Sequence, residues 1–160
     1  MLLWYTGLAV LLVANVFRSV GIDYRLIAGA AVLPVLVDLP LGHRAFGHTL
    51  AFPVVLLVTV MLGTLARPRL LRRRLLCLPI GVFAGLVLSG AFANSDLFLW
   101  PLGGTGFGSE GVLPQWWVVL LEELAGLLGW WWVVGQFDLY LPVPRAAFWR
   151  TGRLEEGTVP

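Results

Sequence analysis

A chain of 160 residues, 59% hydrophobic and 12% charged, has too little polar surface to clothe a water-facing globule, since soluble domains carry about 25% charged residues. The same balance excludes intrinsic disorder, which needs low hydrophobicity and high net charge, and a lone cysteine, Cys77, excludes an internal disulfide framework. The formal charge of +2 does not point to nucleic acid, because all eleven basic residues are arginines clustered between apolar runs, the pattern of membrane topology rather than of phosphate tracking.

A helix needs about 20 apolar residues to cross about 30 Å of hydrocarbon. Leu2 to Phe17 predicts a first, slightly short span. With no basic region ahead of it and no small-x-small cleavage site, it reads as a retained helix, with the mature chain starting at Met1, and not as a secretory signal. Leu26 to Leu39 is shorter and contains Pro34, which predicts either a tilted or kinked span or a re-entrant segment packed inside protein. Thr49 to Ala66 and Leu75 to Ala93 are uncharged and long enough to span, with Pro53 and Pro79 near the helix starts, where a missing N–H matters least. The last span, Gln115 to Tyr140, opens on Trp116 and Trp117 and repeats aromatics at Trp130, Trp131 and Trp132. The two clusters lie roughly 20 Å apart along a helix, close to the separation of the interfacial belts that favour tryptophan.

The expected fold is therefore an all-α integral membrane protein. It is a bundle of about five transmembrane or membrane-embedded helices, the second short or re-entrant. Residues 1–141 form a single transmembrane domain and 142–160 a cytoplasmic C-terminal tail. Five segments put Arg18 and Arg25, the cluster Arg67, Arg69, Arg72, Arg73 and Arg74, and the tail arginines Arg145, Arg150 and Arg153 on one side. Short cytoplasmic loops are rich in Arg, so that side is cytoplasmic in a multi-pass protein of the cell's inner membrane, with an exoplasmic amino terminus. The cluster Arg67 to Arg74 also offers a surface to anionic lipid headgroups. The glycine-rich stretch between Asn94 and Pro114 follows a membrane helix and lacks the spacing of a nucleotide-binding loop.

Ionisable groups inside apolar segments are expensive and become site candidates. Three sets stand out: Asp38 with His43, Arg44 and His48; Asn94 with Asp96; and Glu122 with Glu123. Imidazole and carboxylate suit divalent transition metals, so Asp38, His43 and His48 are candidate ligands, and Asp38, His48 and Glu123 are candidate catalytic groups. Residues five apart on one helix point about 140° away from each other. His43 and His48 can share an ion only if His43 sits on the preceding loop, which Pro40 and Gly42 favour. Arg44 is the expected partner of Glu122 or Glu123 in a structural ion pair between helices, because it is the cation nearest in depth.

The stretch VLPVLVDLPLGHRAFGHTL resembles the signature of the YdjM-like family of LexA-binding, inner-membrane-associated metal-dependent hydrolases. In that family an Asp-Pro region precedes a His-Arg-x-x-x-His-Ser/Thr-Leu run; here the run is HRAFGHTL. IGVFAGLVLSGAFANSDLFLWPLGG resembles the family's following helix and Trp-Pro landmark, and RTGRL near the end is also shared with similar relatives. The resemblance implies a helical membrane fold and hydrolysis at a divalent Zn, Mn or Fe. It also implies His and Asp where Gly85 and Ser89 stand, Asp at Val35 and His near Tyr5, so four polar positions are lost. Two functions follow. One is a non-catalytic accessory or scaffold subunit with no cofactor, whose partners are lipids and other integral membrane subunits. The other is an active metal-dependent hydrolase using Asp38, His43 and His48.

Overall fold

The computed structural model describes residues 1–17, 21–103 and 111–154. These form nine α-helices joined by short 3-10 turns, with no β-strand among the described residues. Helix α1 covers Leu2–Phe17, the bounds of the first expected segment, as a 16-residue apolar helix shorter than a full span. Asp23 opens α2, Tyr24–Ala31, by accepting a hydrogen bond from the Arg25 backbone N–H at 3.2 Å, a side-chain N-cap. Pro34 has no N–H to offer the Ala30 carbonyl, and the chain restarts there as α3, Leu33–Asp38. The second segment is thus broken where the proline predicts.

Two helices are shorter than their apolar runs. Helix α4 covers Ala51–Gly63 and α6 covers Cys77–Leu88, about 20 and 18 Å of helix at 1.5 Å per residue, where full spans were expected. Pro53 and Pro79 account for both starts: neither can donate to the carbonyl four residues earlier, so α4 begins only after a 3-10 turn at Phe46–His48. By the same mechanism the arginine-rich α5, Arg69–Leu75, separates from α6. Gly90, at φ 67°, and a 3-10 turn at Ala91–Ala93 follow α6, and α7 is the single turn Ser95–Phe98. Helix α8 runs through Trp116–Gln136 and α9 through Pro142–Thr151.

Two stretches, Tyr24–Leu41 and Trp116–Gln136, are long and apolar enough to cross a membrane. Their surroundings differ: 44% of the first is buried within the protein and only 17% of the second. The core forms where α1 crosses α8 and α2 crosses α6. Both crossings are made of glycine. A Cβ on Gly85 would lie 2.9 Å from the carbonyl carbon of Ala31 and closer still to its oxygen, and one on Gly81 would lie 2.7 Å from the Ile27 carbonyl oxygen. At the other crossing Gly126 rests on the backbone of Leu3 and Trp4, and Gly7 on the Gly126 carbonyl. Small residues at helix crossings let backbones approach closely, the usual packing solution where lipid removes the hydrophobic drive between helices. Trp130 joins the α1 contact by donating to Thr6 Oγ1 at 3.1 Å. Trp116, Trp117, Trp131 and Trp132 are exposed.

Candidate functional site

Asp38 ends α3 and is fully buried, as is His48. Gly42, in the left-handed region at φ 73°, turns the chain back after Pro40, and the returning loop closes on the carboxylate. Asp38 Oδ2 accepts from the Ala45 backbone N–H at 2.7 Å and from His48 Nδ1 at 2.7 Å, while Oδ1 accepts from the Gly47 N–H at 2.8 Å. A carboxylate can only accept, so Nδ1 carries the imidazole proton. Gly47 is required by this closeness: a Cβ there would lie 2.5 Å from the Pro34 carbonyl oxygen and 2.9 Å from Asp38 Oδ1. The arrangement is a loop clamp, in which one buried acid meets three donors and fixes the reversal between α3 and α4.

His43 does not join it. Its Nδ1 lies 3.0 Å from the Leu41 carbonyl oxygen, and its backbone makes an isolated antiparallel bridge with Gly111. Of the expected ligand set Asp38, His43 and His48, the structure brings Asp38 and His48 together and leaves His43 against Leu41. The left-handed turn at Gly42 and the bridge at His43 hold the His43 ring against its own loop, and among the described residues no group of three or more His, Cys, Asp or Glu can hold a metal. Asp38 and His48 are two side chains where a hydrolytic zinc takes three protein ligands, and both Asp38 oxygens accept protein donors. Asp96 is exposed in the first turn of α7. Ser89 Oγ donates to the Leu86 carbonyl at 2.9 Å.

The acidic pair on α8 divides. Glu123 pairs with the Met1 ammonium and accepts from the Leu3 N–H at 3.1 Å, so its ion pair is with the amino terminus in place of the expected Arg44. The first turn of α1 presents unsatisfied N–H groups and positive dipole to it. Glu122 Oε2 is buried with no hydrogen-bond partner among the described residues. Arg44 acts electrostatically on both Glu122 and the buried Tyr5. Of the other expected positions, Arg72 reaches Met61 Sδ at 3.2 Å, while Arg18 and Glu110 lie outside the described residues.

A second polar centre had no counterpart in the sequence reading. Asp23, only 4% exposed, accepts from Arg74 Nε at 2.8 Å and from Arg25 Nε and Nη2, each at 3.3 Å. Arg25 Nη1 also donates to the Trp149 carbonyl at 2.5 Å, and the Tyr24 N–H donates to the Gly152 carbonyl at 2.7 Å. Asp23 thereby ties α2, α5 and α9 together. Gly152, at φ 74°, sits against the Asp23 carboxylate with no room for a Cβ. The available signal was an Asp directly before an apolar helix, a helix-start pattern.

Burial opposes ionisation of Asp23, but hydrogen bonds from Arg25 and Arg74 outweigh it and hold the carboxyl below its ordinary value of 3.8. As pH falls, the unfolded chain takes up this proton before the folded one does. The stabilisation is complete above the ordinary value and is lost as pH falls through the lowered one. In detergent, the unfolding temperature is expected to hold between neutrality and about pH 5 and to drop in more acidic buffer. Asp23→Asn is expected to lower stability at neutral pH and to shrink that acid-side loss; an unchanged acid limb in the variant would refute the assignment.

Among the described residues the chain is thus all-helical, with two helical stretches long and apolar enough to cross a membrane. No protein-family model matches it, and neither a curated protein nor a solved structure does so.

Proposed function

We propose that this chain is a non-catalytic, multi-pass membrane protein that serves as an accessory or scaffold subunit for other integral membrane proteins. The observation that carries the reading is the Asp38–His48 clamp: a sealed carboxylate that gives three of its about four acceptor sites to protein donors serves to hold a loop. Gly85 supports it, because the position that the YdjM-like resemblance assigns to a histidine lies where no side chain fits. On this reading the chain is a divergent relative of those hydrolases that kept their helical outline. The outward leucine and tryptophan face of α8 is suited to lipid and to partner helices.

The topology proposed with it has five membrane segments, α1, α2–α3, α4, α6 and α8, with the arginine-rich connections and the C-terminus cytoplasmic. The short helices α4 and α6 fit such a bundle if the bilayer thins or flanking residues snorkel. Protein purified in mild detergent is expected to be free of stoichiometric Zn, Mn or Fe and to carry other integral membrane subunits at fixed ratio by native mass spectrometry. Stoichiometric metal that disappears in His48→Ala would instead establish the hydrolase. A reporter fused after Pro160 is expected to read cytoplasmic.

A further inference from the structure

The cytoplasm-type arginines are not spread evenly. Arg73 and Arg74 of α5 face Arg150 of α9 and Arg153 just beyond it across one cleft of about 330 Å³, floored by Asp23 and flanked by Leu70. That volume falls within the about 300–1,000 Å³ of small-molecule sites. Among the described residues that line the cleft, the four arginines accompany one acid, Asp23. Asp23 is engaged by Arg25 and Arg74, whereas Arg73, Arg150 and Arg153 make no ion pair among the described residues. Guanidinium groups held from two elements around a concave space suit the tetrahedral oxygens of a phosphate, which arginine binds through paired N–H donors.

A free phosphate and a lipid headgroup share this chemistry, and an apolar groove that takes in the residue just after α5 favours the lipid. This groove of about 520 Å³ between α1, α4 and α6 is lined by Phe17 and by Leu76, three residues from Arg73. We infer that the cleft formed by Arg73, Arg74, Arg150 and Arg153 binds the phosphate of an anionic phospholipid whose acyl chains lie along this groove. The inference does not depend on the scaffold reading. It also differs from a diffuse basic patch, because it joins the tail to α5 and leaves out Arg67, Arg69 and Arg72.

Native mass spectrometry of the full chain in detergent, titrated with phosphatidylglycerol and separately with inorganic phosphate, tests it. Phosphatidylglycerol is expected to bind in preference to phosphatidylcholine, and the R150A/R153A double variant to lose affinity on the order of tenfold or more. R145A, which alters an exposed α9 arginine outside the cleft, is expected to bind as the parent does, and R150K/R153K to recover part of the loss. Circular dichroism checks that each variant is folded. Equal binding by R150A/R153A, or an equal loss in R145A, would overturn the site. Inorganic phosphate binding with the same arginine dependence and no gain from the lipid would overturn the lipid assignment.

Discussion

Gly85→Ala is expected to destabilise the folded protein by roughly 1–3 kcal/mol, the usual cost of forcing atoms into a full contact, and Gly85→His to prevent folding. The single methyl of alanine already falls 2.9 Å from the Ala31 carbonyl carbon, so α6 must move off α2 to admit it. Gly126→Ala is expected to behave alike, since its Cβ would run into the backbone of Leu3 and Trp4. Gly135→Ala, also on a long apolar helix but facing open space, is the contrasting case and is expected to gain up to about 1 kcal/mol of helix stability. Thermal unfolding of the four variants in one detergent checks this. A Gly85→His protein that folds and acquires metal would refute both the packing argument and the proposed loss of catalysis.

The second large effect belongs to the clamp. Asp38→Ala leaves the Ala45 and Gly47 N–H groups and the His48 Nδ1 proton buried without their acceptor. Stranding one such donor costs about 1–3 kcal/mol, so losing the acceptor of all three is expected to cost about 3 kcal/mol or more. His48→Ala removes one of the three donors and is expected to cost less, on the order of 1.5–3 kcal/mol for a hydrogen bond to a charged group. Asp38→Asn, which keeps one acceptor oxygen, falls short of the alanine loss. A chelator is expected to leave the unfolding temperature of the parent protein unchanged. If chelation reproduced the Asp38→Ala loss, the clamp would be a metal site.

The clamp also marks how far the site was legible in one dimension. Asp38, His43 and His48 stand out because polar groups in apolar sequence are costly, and two of the three do meet. What separated His43 from its neighbours was a backbone event, the left-handed turn at Gly42 and the bridge to Gly111, and the bridge joins residues 68 positions apart. Glu123 shows the same limit: its partner, the amino terminus, comes within reach only because α1 lies along α8.

Composition and hydrophobic runs alone decided that this chain is helical, because unbroken apolar stretches must satisfy their backbone hydrogen bonds within themselves in a low-dielectric surrounding. They also located α1, α8 and the break at Pro34, since these follow from local covalent geometry. The tertiary structure decided the rest. It set which glycines serve as helix crossings, which carboxylates are sealed, and that arginines from α5 and the α9 end share one cleft around Asp23. A residue's chemistry is written in the chain, but its surroundings depend on contacts between distant segments, and those exist only once the helices have packed.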